Sequence, residues 1–207
     1  MLVHVLTRLL GRKQGSESAV KPLDHVAAVE MNVHCQKVLL DSPSPPAHLF
    51  TNQNHFWKPK VWKQIQSLRS GGVCISLESL VPLIKGKPVR SAAFCICCKK
   101  ICEHPRANMH QGSPPCVAFS SMGNHSTTEG DTMVDFAAWC AMRLLLEEPI
   151  VIMEESEKFD PAIITQIFGE THRVFCKKID ALTFGWPGRR ERLWVVLFHN
   201  KYVHEVL

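Results

Sequence analysis

Cys116 stands in the segment Gly112-Ser113-Pro114-Pro115-Cys116-Val117-Ala118-Phe119-Ser120. Two prolines fix φ and remove backbone donors, so the approach to the thiol has few conformations to lose. A thiol held this way meets a substrate at one angle, which suits nucleophilic addition. Two carboxylates close apolar runs. Val26-Ala27-Ala28-Val29 ends in Glu30, and Ile150-Val151-Ile152-Met153 ends in Glu154 with Glu155 beside it. In a doubly wound sheet an acid at the end of the second strand lies where a nucleotide ribose binds and accepts from its two hydroxyls. The plainer reading of Glu30 is a charge at the start of the next helix. Glu155 and Glu157 make an acidic loop the plainer reading of Glu154. Cys95, Cys97, Cys98 and Cys102, with His104 and His110 nearby, put four thiols within eight residues. Such a group can hold zinc, although the run is not built as two paired Cys-x2-Cys modules. The alternative is a reduced Cys-rich insertion.

These groups need elements to position them. Residues 26–30 predict a buried parallel strand. Residues 32–40 have apolar positions at helical spacing, and Pro43, Pro45 and Pro46 then break the chain. Strand, acid, helix and turn make one βα unit. Residues 52–70 read as a loop with a short helix, and 72–77 as a strand. Residues 107–112 should be the strand that feeds the Cys116 loop, although Asn108, His110 and Gln111 make it polar. Residues 131–147 are the clearest helix, with Phe136, Ala137, Cys140, Leu144 and Leu145 on one face. Residues 150–154 predict a strand, 161–168 a helix starting at Pro161, 175–181 a strand, and Leu193 to Phe198 a strand. Strands alternating with helices imply an α/β sheet.

The chain's 207 residues suffice for one domain with a real core. The net charge of +5 permits nucleic-acid binding without demanding it. No stretch approaches the ~18 apolar residues of a membrane span. Nine cysteines without a convincing signal peptide suggest reduced thiols in an intracellular compartment, the nucleus if the source is eukaryotic.

The loop around Cys116 resembles the catalytic loop of the cytosine-C5 methyltransferases, in which Pro-Cys precedes a polar residue and a Phe-Ser or Tyr-Ser pair follows. The segment Gly185-Trp186-Pro187-Gly188-Arg189-Arg190-Glu191-Arg192, followed by an apolar strand, is similar to that family's Gly-x-Pro-Gln-x-Arg-x-Arg, with Gly188 in place of Gln. Glu154 falls at the acid of its Glu-Asn-Val, with the Asn and Val replaced. The resemblance covers roughly residues 23–200 and rests on the order of these segments. It implies a Rossmann-like α/β fold and methyl transfer from S-adenosylmethionine to C5 of cytosine in DNA through a covalent adduct of Cys116 at C6. By the same resemblance Glu154 donates a proton or hydrogen bond to cytosine N3. Arg192 contacts O2, and Arg190 supports the site and nearby phosphates. Glu30 holds the cofactor ribose and Met31 packs on the adenine. Asn52 takes the place of an aspartate at the adenine amine, and Pro115 is counted with the cofactor-binding residues. One branch of the family methylates RNA, so RNA stays open as substrate.

Two expected parts do not match. The family's Phe-x-Gly-x-Gly turn should lie about twenty residues before Glu30, where the chain reads Gly11-Arg12-Lys13-Gln14-Gly15. Only nine residues follow Phe198, where the family has a target-recognition domain. The expected organisation is therefore a degenerate segment at 1–22 and a partial, incomplete catalytic domain at 23–207 with a Cys-rich insertion at 94–110. An inactive remnant serving as a binding module, and a zinc-dependent nucleic-acid module around 95–110, are the alternatives.

Overall fold

The computed structural model describes residues 24–70, 75–114 and 131–202, apart from the side chains of Leu77, Glu78 and Asp131. The proposed nucleophile Cys116, together with Pro115, lies outside the described residues, as do the glycines at 11 and 15.

Sequence order gives β1 (Ala27–Val29), α1 (Val33–Leu40), β2 (His48–Phe50), a 3-10 turn at Gln53–Phe56, α2 (Pro59–Ser70) and α3 (Leu77–Lys85). There follow β3 (Ala92–Cys95), β4 (Lys100–Glu103), β5 (Met109–Gly112), α4 (Asp131–Leu146), β6 (Ile150–Ser156) and α5 (Ala162–Phe168). Then come β7 (His172–Asp180), a 3-10 turn at Ala181–Phe184, and β8 (Glu191–His199). The α/β class holds. Instead of one continuous doubly wound sheet, the described residues form two, β1-β2-β3-β4 and β5-β6-β8-β7. Each contains one parallel pair, β1 with β2 and β5 with β6. No helix among the described residues is long and apolar enough to cross a membrane.

Local chemistry accounts for the elements. The side chain of Asn32 caps α1 by accepting from the His34 and Cys35 N–H groups at 2.9 and 3.3 Å. The 72–77 strand expectation fails where it can be checked. Ser76 is instead the N-cap of α3, its hydroxyl accepting from the Ser79 N–H, and Leu77 is already helical. The short helix expected within 52–70 is a twelve-residue one over 59–70. Its single fully buried side chain is Ile65, with Val61 and Trp62 packed at the edge of the core, so its pattern was too polar to show its full length.

Helix α4 is the hub. Met133, Val134, Phe136, Ala137, Ala138, Trp139, Cys140, Ala141 and Met142 are all at most 2% exposed. A helix apolar nearly all round belongs in the interior. It packs on α3 and on the 3-10 turn at 53–56, where the Asn54 amide donates to the Asp135 carboxylate. One cluster of buried side chains runs from Phe50 and Ala93 of the first sheet through α4 to Val151, Met153 and Val195 of the second. Each such Val, Phe or Met contributes about 1.5–3 kcal/mol of burial, so α4 joins the two sheets. The outer strand β7 carries Arg173, Lys177 and Lys178 and is largely exposed, which discourages edge pairing with another chain. The seven described cysteines are all free thiols.

Candidate active site

Strand β5 supplies the start of the loop that leads to Cys116. Its polar residues are explained by the helix beneath it. The His110 Nε2 accepts from the Trp139 indole N–H at 3.0 Å, so an imidazole can be buried without an orphaned polar atom. Burial, followed by the Arg143 guanidinium nearby, holds His110 well below the ordinary histidine range. The same pair explains Gly112. A Cβ there would lie 2.7 Å from Trp139 Nε1 and 3.0 Å from His110 Nε2, in two rings already locked together. Gly112→Ala is therefore expected to displace the loop or the Trp139–His110 bond, at a cost of about 1–3 kcal/mol. A denaturant midpoint unchanged from wild type would contradict it.

Parallel pairing of β5 with β6 ends at Gly112 opposite Met153. The next residue on each strand is Ser113 and Glu154. The Ser113 hydroxyl reaches both the Glu154 carbonyl (3.1 Å) and its Oε2 (2.9 Å). The other carboxylate oxygen, Oε1, is 2.9 Å from Nε of Arg192, at the start of β8. Arg192 Nη1 also donates to the Glu191 carbonyl at 2.8 Å, which fixes the guanidinium. Three separated segments thus supply Ser113, Glu154 and Arg192, which meet at the Glu154 carboxylate.

The neighbouring acid does not share this site. Side chains alternate along β6, so Glu155 falls on the opposite face with Val151 and Met153 and is 1% exposed. The strand also runs on to Ser156, because β8 pairs with it as far as Arg192 opposite Ser156. Glu154 is therefore within a strand, at the point where its parallel neighbour stops.

The arginine turn is organised by Asp180, a residue the sequence reading overlooked. Its Oδ1 accepts from the N–H groups of Leu182 (3.1 Å) and Arg190 (3.0 Å), and the Arg189 Nε lies 3.5 Å from Oδ2. The Arg190 and Leu182 amides hold the Asp180 carboxyl below the usual carboxylate range. Gly185 closes the turn at φ 83°, a conformation that disfavours any side chain. An aspartate ending a strand two residues before an amide it can accept from is the signal that points to this role. Arg190 anchors the turn through its backbone and leaves its side chain exposed, so it does not join Glu154 and Arg192.

A second group forms at the parallel pair β1–β2. Glu30 extends the pairing through its N–H to the Phe50 carbonyl at 3.0 Å. Its Oε1 accepts from the Asn32 N–H at 2.7 Å, and its carbonyl accepts from the Gln36 amide at 2.6 Å. Met31 is 55% exposed, and Asn52 Nδ2 donates to its sulfur at 3.0 Å. Glu30, Met31 and Asn52 therefore lie together just beyond the C-terminal ends of two parallel strands. This is the side of an α/β sheet on which ligands bind. The Asn52 oxygen caps the 3-10 turn by accepting from the Asn54 N–H at 2.7 Å, while its amide nitrogen makes the N–H···S contact. A carboxylate, an exposed thioether and an amide N–H in a weak contact fit the hydroxyls and flat ring of a nucleoside. A groove of about 480 Å³ between α2 and α3, lined by Val61, Leu68, Ile75, Leu80 and Leu83 among others, contains none of these residues and no charged side chain.

The thiol cluster differs from expectation. His104 is buried against Phe50, ring centroids 5.4 Å apart, and burial lowers its pKa to about 4. His110 is bonded to Trp139. Cys97 points to the Pro46 carbonyl at 3.6 Å. The imidazole among the thiols is that of His48, on β2, together with Cys95, Cys98 and Cys102.

No family model matches the chain, and no curated protein matches it. Among solved structures it is similar to a crystal structure from E. coli described as a proposed DNA modification methyltransferase encoded within a prophage. The TM-score is 0.49 and the identity 12%, over 88% of this chain and 42% of that one. The chain thus spans less than half of that neighbour's length. A likeness at this level fixes neither fold nor activity.

Proposed function

We propose that the chain is the catalytic part of a cytosine-C5 methyltransferase with a Rossmann-like, S-adenosylmethionine-binding architecture, acting on DNA. The observation that carries this reading is the convergence of Ser113, Glu154 and Arg192. Each of these residues belongs to one of the three segments that resemble the family's catalytic motifs, which supports the reading. The grouping of Glu30, Met31 and Asn52 at strand ends supports the nucleoside half of the cofactor site. S-adenosylmethionine, when bound, supplies an electrophilic methyl group.

Cytosine C5 is too weak a nucleophile to take that methyl unaided. The Cys116 thiolate adds to C6, forming the S–C6 bond and moving an electron pair through the ring to C5. By the family resemblance Glu154 donates a proton or hydrogen bond to N3 and Arg192 contacts O2, so charge that develops on the ring meets nearby donors once the base displaces the Ser113 and Arg192 contacts at the carboxylate. Once C5 carries the methyl, loss of its proton to solvent and expulsion of the Cys116 thiolate restore the C5=C6 double bond. The target base must leave the duplex first, because C6 is stacked inside it. Arg190, exposed beside the site, is suited to the phosphates of the opened strand. Leu182, Phe184 and Trp186, all at least 49% exposed on the same turn, offer apolar surface to unstacked bases.

The test is transfer of labelled methyl groups to cytosine in duplex DNA, with RNA as a parallel substrate. Glu154→Gln keeps an acceptor for Ser113 but removes the ion pair to Arg192 and the acid at N3. It is expected to slow transfer by about 10²–10³-fold. Transfer to RNA alone would move the substrate to RNA. Absence of 5-methylcytosine in both, from folded chain, would overturn the enzyme reading and leave a remnant of the fold.

A further inference from the structure

We propose that His48, Cys95, Cys98 and Cys102 form a structural zinc site that fastens β2 to the β3–β4 hairpin. Their ligand atoms all lie within 4.8 Å of one another. His48 Nδ1 is 3.7 Å from the Cys95 sulfur and 3.6 Å from the Cys98 sulfur. A tetrahedral zinc with Zn–S of about 2.3 Å and Zn–N of about 2.0–2.1 Å requires an S···N edge of about 3.6 Å. The fit is that of ligands around a common centre. A hydrogen bond explains only one of the two contacts, since a single imidazole nitrogen has one lone pair or one proton to share.

The backbone is shaped for the same purpose. Cys95 ends β3, Cys98 closes the turn three residues on, and Cys102 returns on β4 opposite Ala93. Cys95 and Cys98 are thus a Cys-x2-Cys pair, hidden in the sequence by Cys97 between them. Lys99, which follows, sits at φ 53°, a left-handed conformation costly for a lysine. That turn, closed by the Lys99 N–H to the Cys95 carbonyl at 2.9 Å, reverses the chain so that β4 carries Cys102 back alongside β3. Lys99 and Lys100 also lie where three thiolates and one Zn²⁺ leave a net negative charge.

The site answers a weakness of the sheet. Strands β2 and β3 meet at one residue pair, Phe50 with Cys95, reinforced by the Ile96 N–H to the Leu49 carbonyl at 2.8 Å. A metal bridging His48 to three thiols of the hairpin supplies the missing cross-link. Three sulfur ligands and one imidazole select zinc over magnesium or calcium. Four protein ligands close the coordination shell, so the ion is structural and leaves no position for water or substrate. Binding releases the thiol protons to solvent, and the free energy of coordination becomes folding free energy.

The experiment measures metal in the full chain purified without chelator, followed by cobalt(II) titration of the metal-free chain. The expected result is one zinc per chain and a tetrahedral cobalt spectrum with strong thiolate charge-transfer absorption. His48→Ala and Cys98→Ser should weaken zinc binding more than about 100-fold, while Cys97→Ser should retain it. Octahedral cobalt, substoichiometric zinc, or equal loss in Cys97→Ser would overturn the proposal. The cobalt titration of the unaltered chain decides the matter even if the ligand variants fail to fold. It is independent of whether the chain transfers methyl groups.

Discussion

Cys116→Ser is expected to abolish methyl transfer, by at least about 10⁴-fold, while cofactor affinity stays within a few-fold of wild type. A serine hydroxyl is far less ionised and less polarisable than a thiol, so addition at C6 fails and the ring never becomes nucleophilic at C5. Residues that act as one catalytic unit lose nearly all activity when the nucleophile goes. Glu30 and Asn52 lie just beyond the ends of β1 and β2, far from Cys116 in sequence, so the nucleoside half of the cofactor site should be untouched. The paired measurement is labelled methyl transfer and calorimetric titration with S-adenosylmethionine. Residual activity within 100-fold of wild type would assign the chemistry to another group. Binding lost along with activity would mean that the substitution damaged the fold rather than the reaction.

The second large effect concerns stability. Arg143 of α4 and Glu148, which precedes β6, form an ion pair with side chains 0% and 1% exposed. Only Arg143 Nη1 and Glu148 Oε1 are joined. Arg143 Nε and Nη2 and Glu148 Oε2 are buried without hydrogen-bond partners among the described residues. Burial pushes the Glu148 carboxyl up and the Arg143 guanidinium down, each against the pull of its partner. Such a pair adds little net stability, yet breaking it strands a charge. Arg143→Leu is therefore expected to cost about 3–5 kcal/mol, and more at pH 8 than at pH 5, where Glu148 can take up a proton. Arg143→Leu with Glu148→Leu should recover most of the loss. Equilibrium denaturation of the three proteins checks this. A double variant as unstable as the single would show that the loss came from packing around Trp139, over whose ring the guanidinium sits at 6.0 Å.

The elements nearest the proposed chemistry were the legible ones. β1, β6 and β8 are apolar runs, and α4 is apolar nearly all round, so the apolar pattern leaves little ambiguity. α2 was read only as a short helix within a loop because it buries one side chain, and α3 was missed because Pro82 lies inside it and its cap, Ser76, follows a strand-like run. The division into two sheets had no signal in local pattern, because it depends on which strands pair across the chain. Glu154 and Arg192 were singled out separately, and their ion pair had no signal in the sequence. Glu155 looked like its companion until strand alternation sent it to the opposite face. His48 lies 47 residues from Cys95, a separation that hides any ligand set from spacing alone. His104 and His110 were nearer in sequence, but Phe50 and Trp139 claim them. Asp180 was overlooked because its importance comes only from the arginines that the turn presents.

The most direct test of the proposed reaction uses duplex DNA in which the target cytosine carries fluorine at C5. Fluorine cannot leave as the C5 proton does, so the Cys116–C6 bond would persist after methylation. The account predicts a denaturation-resistant complex of chain and DNA that forms only with S-adenosylmethionine present, maps to Cys116 by peptide mass, and is absent from Cys116→Ser. Methyl transfer without any such complex, or a complex mapped to another residue, would contradict it.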